Sequence, residues 1–268
     1  MSKKPRAKSS EVNNVQEVKK DKSPKVYQRD KIKNDLTIAE RDDWTKKQEE
    51  LINLIEDKST KVVFIQGPAG TSKTFTAIYA GLKLMNKRTV SDIVYVRSIA
   101  ESASKSLGSL PGEANEKMMP FLMPLHDKLD ELLSKQDIAM LVKEERIQGI
   151  PINYLRGASL NAKYVVIDEA QNLDFKELTT AITRIGKYSK FIILGDPLQS
   201  DIQKSGFMKM FDLFNSEESK SEGIHSFSFT RNDIVRRGIL KYIVEKIEST
   251  HNIAPKPTNE PMFPSPQQ

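Results

Sequence analysis

Apolar residues along this chain gather into short continuous runs, separated by stretches with helical spacing. Val62-Val63-Phe64-Ile65 ends in a Gly-rich turn, and residues 74–85 then repeat at helical intervals. Residues 93–96, 165–167 and 191–194 form three further runs, with a helical pattern over 176–185 between the last two. Strands that are continuously apolar, rather than alternating, are buried on both faces, as in a parallel sheet covered by helices. The expected fold class is therefore α/β, with a mostly parallel sheet and helices on both of its faces. Near the carboxyl end, Ile234, Val235, Ile239, Leu240, Ile243 and Ile247 predict one helix, with Asn232 or Asp233 as its amino-terminal cap. Residues 98–149 are less regular and predict helices and loops inserted into the core.

Composition changes this picture mainly at the ends. Of 42 Lys and Arg and 36 Asp and Glu, residues 1–33 hold eleven and four, so the basic charge belongs to a tail and the body is close to neutral. Residues 1–35 nearly lack large apolar side chains and cannot offset the entropy of ordering, which predicts a disordered basic tail. Residues 251–268, rich in proline, read as a second tail, leaving 36–250 as the folded domain. There is no cysteine, which excludes a disulfide framework and a thiolate metal site. His126, His225 and His251 lie far apart and form no ligand motif. No run is long enough for a transmembrane helix, and no apolar segment follows the basic start as a secretory signal requires. The expectation is a soluble cytoplasmic protein with no membrane partner.

Three segments carry chemistry. Gly67-Pro68-Ala69-Gly70-Thr71-Ser72-Lys73-Thr74 lies directly after a strand and before a helix, the context in which such a loop turns its backbone N–H groups around a phosphate. Lys73 would reach the β- and γ-phosphates of a nucleoside triphosphate, and the Thr74 hydroxyl would bind Mg²⁺. Ser72 stands where this pattern has glycine; because the position opens a helix, it is expected to need no positive φ. Val165-Val166-Ile167 ends in Asp168-Glu169, where a Walker B pair belongs: Asp168 to hold Mg²⁺ through water, Glu169 to orient and deprotonate the attacking water. Gly195-Asp196-Pro197-Leu198-Gln199 follows another strand and puts Gln199 where it can sense a γ-phosphate. All three lie at the carboxyl ends of strands, where open α/β sheets bind ligands.

The ordered motifs resemble the PhoH-like family of P-loop ATPases, related to superfamily 1 helicases but with one RecA-like core. The resemblance covers roughly residues 45–247. It runs through Leu107-Gly108-Ser109-Leu110-Pro111-Gly112-Glu113, Tyr154-Leu155-Arg156-Gly157, Asp168 to Asn172, Thr183-Arg184-Ile185-Gly186, Gly195 to Gln199, Ser205-Gly206 and Asp233-Ile234-Val235-Arg236-Arg237. Ser98, Ala158 and Ser72 depart from its pattern, which suggests a divergent branch such as a bacteriophage one, acting in the host cytoplasm. Some relatives carry a PIN nuclease domain ahead of the ATPase; the polar segment here predicts none.

The resemblance implies ATP as the nucleotide and single-stranded RNA or DNA as a substrate. It also implies that Gln48, placed like the glutamine motif of related helicases, reads adenine from a helix on which Leu51, Leu54 and Ile55 face inward. An arginine finger is needed at the γ-phosphate. With roughly a hundred residues after the Walker B strand there is no room for a second core, by typical domain sizes. The finger then comes from this core or from a neighbour in a homo-oligomeric ring, such as a hexamer, with Arg236 and Arg184 as candidates. The residues themselves leave open a switch acting on a protein partner without nucleic acid.

Overall fold

The structure, a computed structural model, describes residues 32–97, 114–155, 157, 159–236 and 238–251. Most of both expected tails, the motif block at 98–113, and Arg156, Ala158 and Arg237 lie outside the described residues.

Six strands, β1 (Val62–Gln66), β2 (Asp92–Arg97), β3 (Ile147–Pro151), β4 (Lys163–Asp168), β5 (Lys190–Gly195) and β6 (Ile224–Ser228), form one sheet in the order β3-β2-β4-β5-β1-β6. Every neighbouring pair is parallel. Helix α1 (Lys46–Glu56) precedes the sheet, and each crossover carries helical residues, among them α2 (Lys73–Asn86), α3 (Ala114–Leu132), α4 (Lys135–Lys143) and α5 (Phe175–Ile182). Then come α6 (Phe207–Leu213), α7 (Glu217–Ser221) and α8 (Gly238–His251). One strand, β5, separates the loop-bearing β1 from the acid-bearing β4, as in a RecA-like P-loop core.

The apolar runs split between two clusters by the two-residue period of a strand. Val63, Ile65, Ile93, Tyr95, Val166, Ile192 and Leu194 face one cluster with α1 to α4. Val62, Phe64, Val94, Val96, Val165, Ile167, Phe191 and Ile193 face the other with α5 and α6. Both faces are covered, as the continuous runs predict. Helix α1 buries Leu51, Ile52 and Ile55 behind a capping box of Thr45 and Gln48.

Three features differ from the sequence expectation. The edge strands β3 and β6 carry Gly and Pro, or only half-buried residues, so neither forms a continuous apolar run. The last helix starts at Gly238, not near residue 234: Thr230 caps a short 3₁₀ turn over Arg231–Asp233, and Ile234 is extended. Ile32, within the segment assigned by composition to the tail, is buried with Leu36 in the first cluster.

A candidate nucleotide-binding site at the strand ends

The loop between β1 and α2 is shaped by close approach. A Cβ on Gly67 would lie 2.6 Å from that of Phe229. Gly70 has φ 86°, and a Cβ there would meet Leu240 of α8 at 2.5 Å. Ser72 has φ 61° and ψ 29°, in the left-handed region. This corrects the expectation that the position needs no positive φ, and it explains why glycine is usual there. An L-residue in that conformation carries about 1–2 kcal/mol of steric strain.

The strain comes with an open helix start. The Ser72 side chain makes no capping bond, so the first N–H groups of α2 are not capped by that residue. By contrast, Thr45, Ser134 and Asp174 cap α1, α4 and α5. A helix amino terminus left this way favours an anion.

Lys73, the first residue of α2, donates to the carbonyl oxygens of Gly67 and Pro68 at 2.6 and 3.0 Å. Burial lowers its pKa, and the carboxylates of Asp196, Asp168 and Glu169 oppose that shift. Burial raises the pKa of Asp196 in turn, against the pull of Lys73.

The Thr74 hydroxyl lies 3.2 and 3.3 Å from the two oxygens of Asp168. Tyr95 donates to the same carboxylate at 2.5 Å, and burial together with Asp168 holds its phenol well above the ordinary pKa. A hydroxyl beside a carboxylate fits a hard cation such as Mg²⁺, which takes its other ligands from water and phosphate. Among the described residues no group of three or more His, Cys, Asp or Glu could hold a metal.

Glu169 has φ 54° and its carboxylate is held from two sides. Arg97 approaches one oxygen at 3.6 Å, and Gln171 Nε2 donates to the other at 2.6 Å. Gln171 Oε1 also accepts from the Asp196 N–H at 3.0 Å, so one side chain ties the ends of β4 and β5 together.

These groups surround a cleft of ≈ 480 Å³ at the carboxyl ends of the strands. It brings together Lys73, Thr74, Asp168, Glu169, Gln199 and Arg236, and Ala69, Gly70 and Ser72 form part of its wall. Gly67, Pro68 and Thr71 are buried beneath. Arg236 arrives because the Val235 N–H donates to the Gly70 carbonyl at 3.0 Å.

Two expected residues stand elsewhere. Gln48 is buried; its Oε1 accepts from the Thr45 N–H at 3.0 Å and its Nε2 donates to the Thr71 carbonyl at 3.4 Å, bracing the loop from behind. Arg184 is on the turn after α5, outside the cleft, where its carbonyl accepts from the Leu160 N–H at 3.2 Å.

Sequence reasoning missed Tyr95, Arg97, Gln171 and Arg41. Arg97 pairs in register with Asp168, a relation that appears only once β2 and β4 are known to be neighbours. Gln171 stands in plain view two residues beyond Glu169, but the sequence gives it no visible partner. Arg41 lines the cleft with its guanidinium 4.8 Å from the Phe75 ring centroid, fixed by two bonds to Asp43.

Comparison with known proteins places the chain in a family. A family model described as "PhoH-like protein" matches residues 42–248. The PhoH-like protein of Synechocystis sp. is 35% identical over 204 residues, which is 74% of this chain and 61% of the relative. That of Bacillus subtilis is 34% identical over 188 residues, 70% and 58% of the two chains. The chain thus spans about three fifths of the length of these relatives. Among solved structures, the large terminase from a thermophilic bacteriophage aligns with a TM-score of 0.46 and 12% identity, covering 76% of this chain and 50% of that one. With the matched span enclosing both the phosphate loop and the paired carboxylates, this chain belongs to the PhoH-like family of P-loop proteins.

Proposed function

We propose that the protein is a Mg²⁺-dependent ATP hydrolase that couples turnover to single-stranded RNA or DNA. The observation that carries the reading is the convergence of Lys73, Thr74, Asp168 and Glu169 on one cleft beside an uncapped helix start. Lys73 and the open N–H groups of α2 would bind the β- and γ-phosphates. Thr74 and Asp168 would hold magnesium, which supplies charge neutralisation between those phosphates. Glu169, aimed by Arg97 and Gln171, would take the proton of the attacking water. Gln199 would report on the γ-phosphate. Gln48 would read adenine with the Nε2 hydrogen and Oε1 lone pair left over from its bonds to Thr71 and Thr45.

The two arginines suit different roles. Arg236 lines the cleft of its own chain and would stabilise the γ-phosphate in cis. Arg184 lies outside that cleft and would reach a γ-phosphate only across an interface, so a ring of copies rests on Arg184. Mixing Arg184→Ala with Lys73→Ala should then restore part of the turnover, because one interface pairs an intact loop with an intact finger; mixtures without rescue would remove the ring. A nucleic-acid motor of this kind would act in the cytoplasm, and no described helix is long and apolar enough to cross a membrane.

The test of the whole reading is ATP turnover with and without Mg²⁺, and with and without single-stranded RNA and DNA at fixed salt. Magnesium-dependent turnover raised by polynucleotide is expected. Turnover indifferent to polynucleotide would favour the protein-partner switch.

A further inference from the structure

A second cleft, of ≈ 690 Å³, opens at the opposite end of the sheet, where β1 and β5 begin. Its wall carries Lys58, Lys61, Arg88, Lys187 and Lys190 and, among the described residues, no carboxylate. Tyr188 stands among them with 74% of its surface exposed. In a body whose charges nearly balance, five cations around one cleft are a local concentration that overall composition hides.

Not all of these cations are available. Lys190 donates to the carbonyls of Asp57 and Thr60, Lys61 to that of Glu222, and Arg88 pairs with Asp35. These three build the frame. Among the described residues, no hydrogen bond or ion pair engages the ammonium groups of the exposed Lys58 and Lys187.

The turn that presents Lys187 and Tyr188 is rigid. The Ala162 N–H donates to the Lys187 carbonyl at 2.8 Å, the Lys187 N–H to Asn161 Oδ1 at 2.9 Å, and the Gly186 N–H to the Leu160 carbonyl at 3.1 Å. Ser189 adds a bond from its hydroxyl to the Leu160 carbonyl. Tyr188 itself is held at φ 61°, a left-handed conformation that bulky residues rarely adopt. An aromatic ring fixed in this way, turned to solvent and flanked by unspent cations, is a stacking platform beside an electrostatic groove.

We propose that this cleft binds a single-stranded polynucleotide, with the Tyr188 ring stacking on a base and Lys58 and Lys187 contacting phosphates. The inference rests on the nucleic-acid part of the function proposed above and adds its location. Nucleotide and strand would then occupy opposite ends of β1 and β5, roughly 20 Å apart by strand length. The two sites would share the rigid strands that run between them.

The test is fluorescence anisotropy of labelled oligo(dT) and oligo(U) with the full chain over a salt series, beside ATP turnover without polynucleotide. Tyr188→Asn, which suits a left-handed position, should weaken binding roughly 5- to 150-fold, the range of one lost base stack, while Tyr188→Phe binds like the parent. Joint Lys58→Gln and Lys187→Gln should flatten the log–log salt dependence by about 1.4, two single-strand phosphate contacts. Turnover without polynucleotide should match the parent in every variant. Parental binding with unchanged variants would overturn the location alone, and a parent that binds neither oligomer would overturn the nucleic-acid reading with it. Variants that change sedimentation instead of strand binding would make the cleft a contact between copies. Displacement of the oligomers by polyglutamate at matched charge would assign it to an acidic protein.

Discussion

Two lysines occupy opposite ends of the same strands in nearly the same local geometry. Lys73 follows β1 and donates to the carbonyls of Gly67 and Pro68. Lys190 opens β5 and donates to the carbonyls of Asp57 and Thr60. Burial lowers the pKa of both. They differ in what surrounds them. Lys73 faces Asp196, Asp168 and Glu169 in an open cleft, beside a strained residue and an uncapped helix. Lys190 is 3% exposed, and the charges that act on it come from Asp57 and Glu56, the latter already paired with Lys83 and Lys87. The same side chain can poise a site or close a frame. The acids and open N–H groups around it make the distinction, not the lysine.

The contrast breaks most sharply at Lys73. Lys73→Ala should lower turnover by about 10²–10³-fold or more, since the proposed role of Lys73 is a charge at the reacting phosphate, while the circular dichroism spectrum stays parental. Retained nucleotide affinity and turnover would make Lys73 a frame residue like its counterpart.

Lys190→Met should do the reverse. Turnover stays at the parental level, and denaturant unfolding reports a loss of about 1–3 kcal/mol at neutral pH as buried carbonyls lose their donor. The pH dependence has a definite sign. Folded Lys190 releases its proton at about 8, against 10.5 ordinarily. Across that window the unfolded chain binds more protons, so this group makes stability rise with pH. The rise should vanish in Lys190→Met; an identical slope in parent and variant would count against a depressed Lys190.

The smallest effect is expected at Ser72. Ser72→Gly relieves the left-handed strain and should raise unfolding stability by about 1 kcal/mol without loss of nucleotide binding. A destabilised variant would show that the serine hydroxyl matters more than the backbone it distorts.

The sequence revealed those parts of the fold in which one element suffices. Continuous runs such as Phe191 to Leu194 announce central parallel strands, and the loop from Gly67 to Thr74 announces the turn between β1 and α2. Edge strands were hidden, because the half-buried Ile224–Ser228 reads like any mixed segment. The helix expected near residue 234 begins later because Ile234 is extended and the Val235 N–H bonds to the Gly70 carbonyl, a long-range contact that periodicity does not register. The site was visible one residue at a time, through Lys73, Thr74, Asp168 and Glu169. Its supporting contacts were not, since Tyr95 to Asp168 and Arg97 to Glu169 depend on which strands are neighbours.

The central claim, that the carboxyl-end cleft hydrolyses ATP with Glu169 as base, is tested most directly by measuring binding and turnover on one Glu169→Gln protein. The amide keeps the shape and cannot take the proton. ATP affinity should remain within a few-fold of the parent while turnover falls about 10²–10⁴-fold. Parental turnover in that variant would contradict the account.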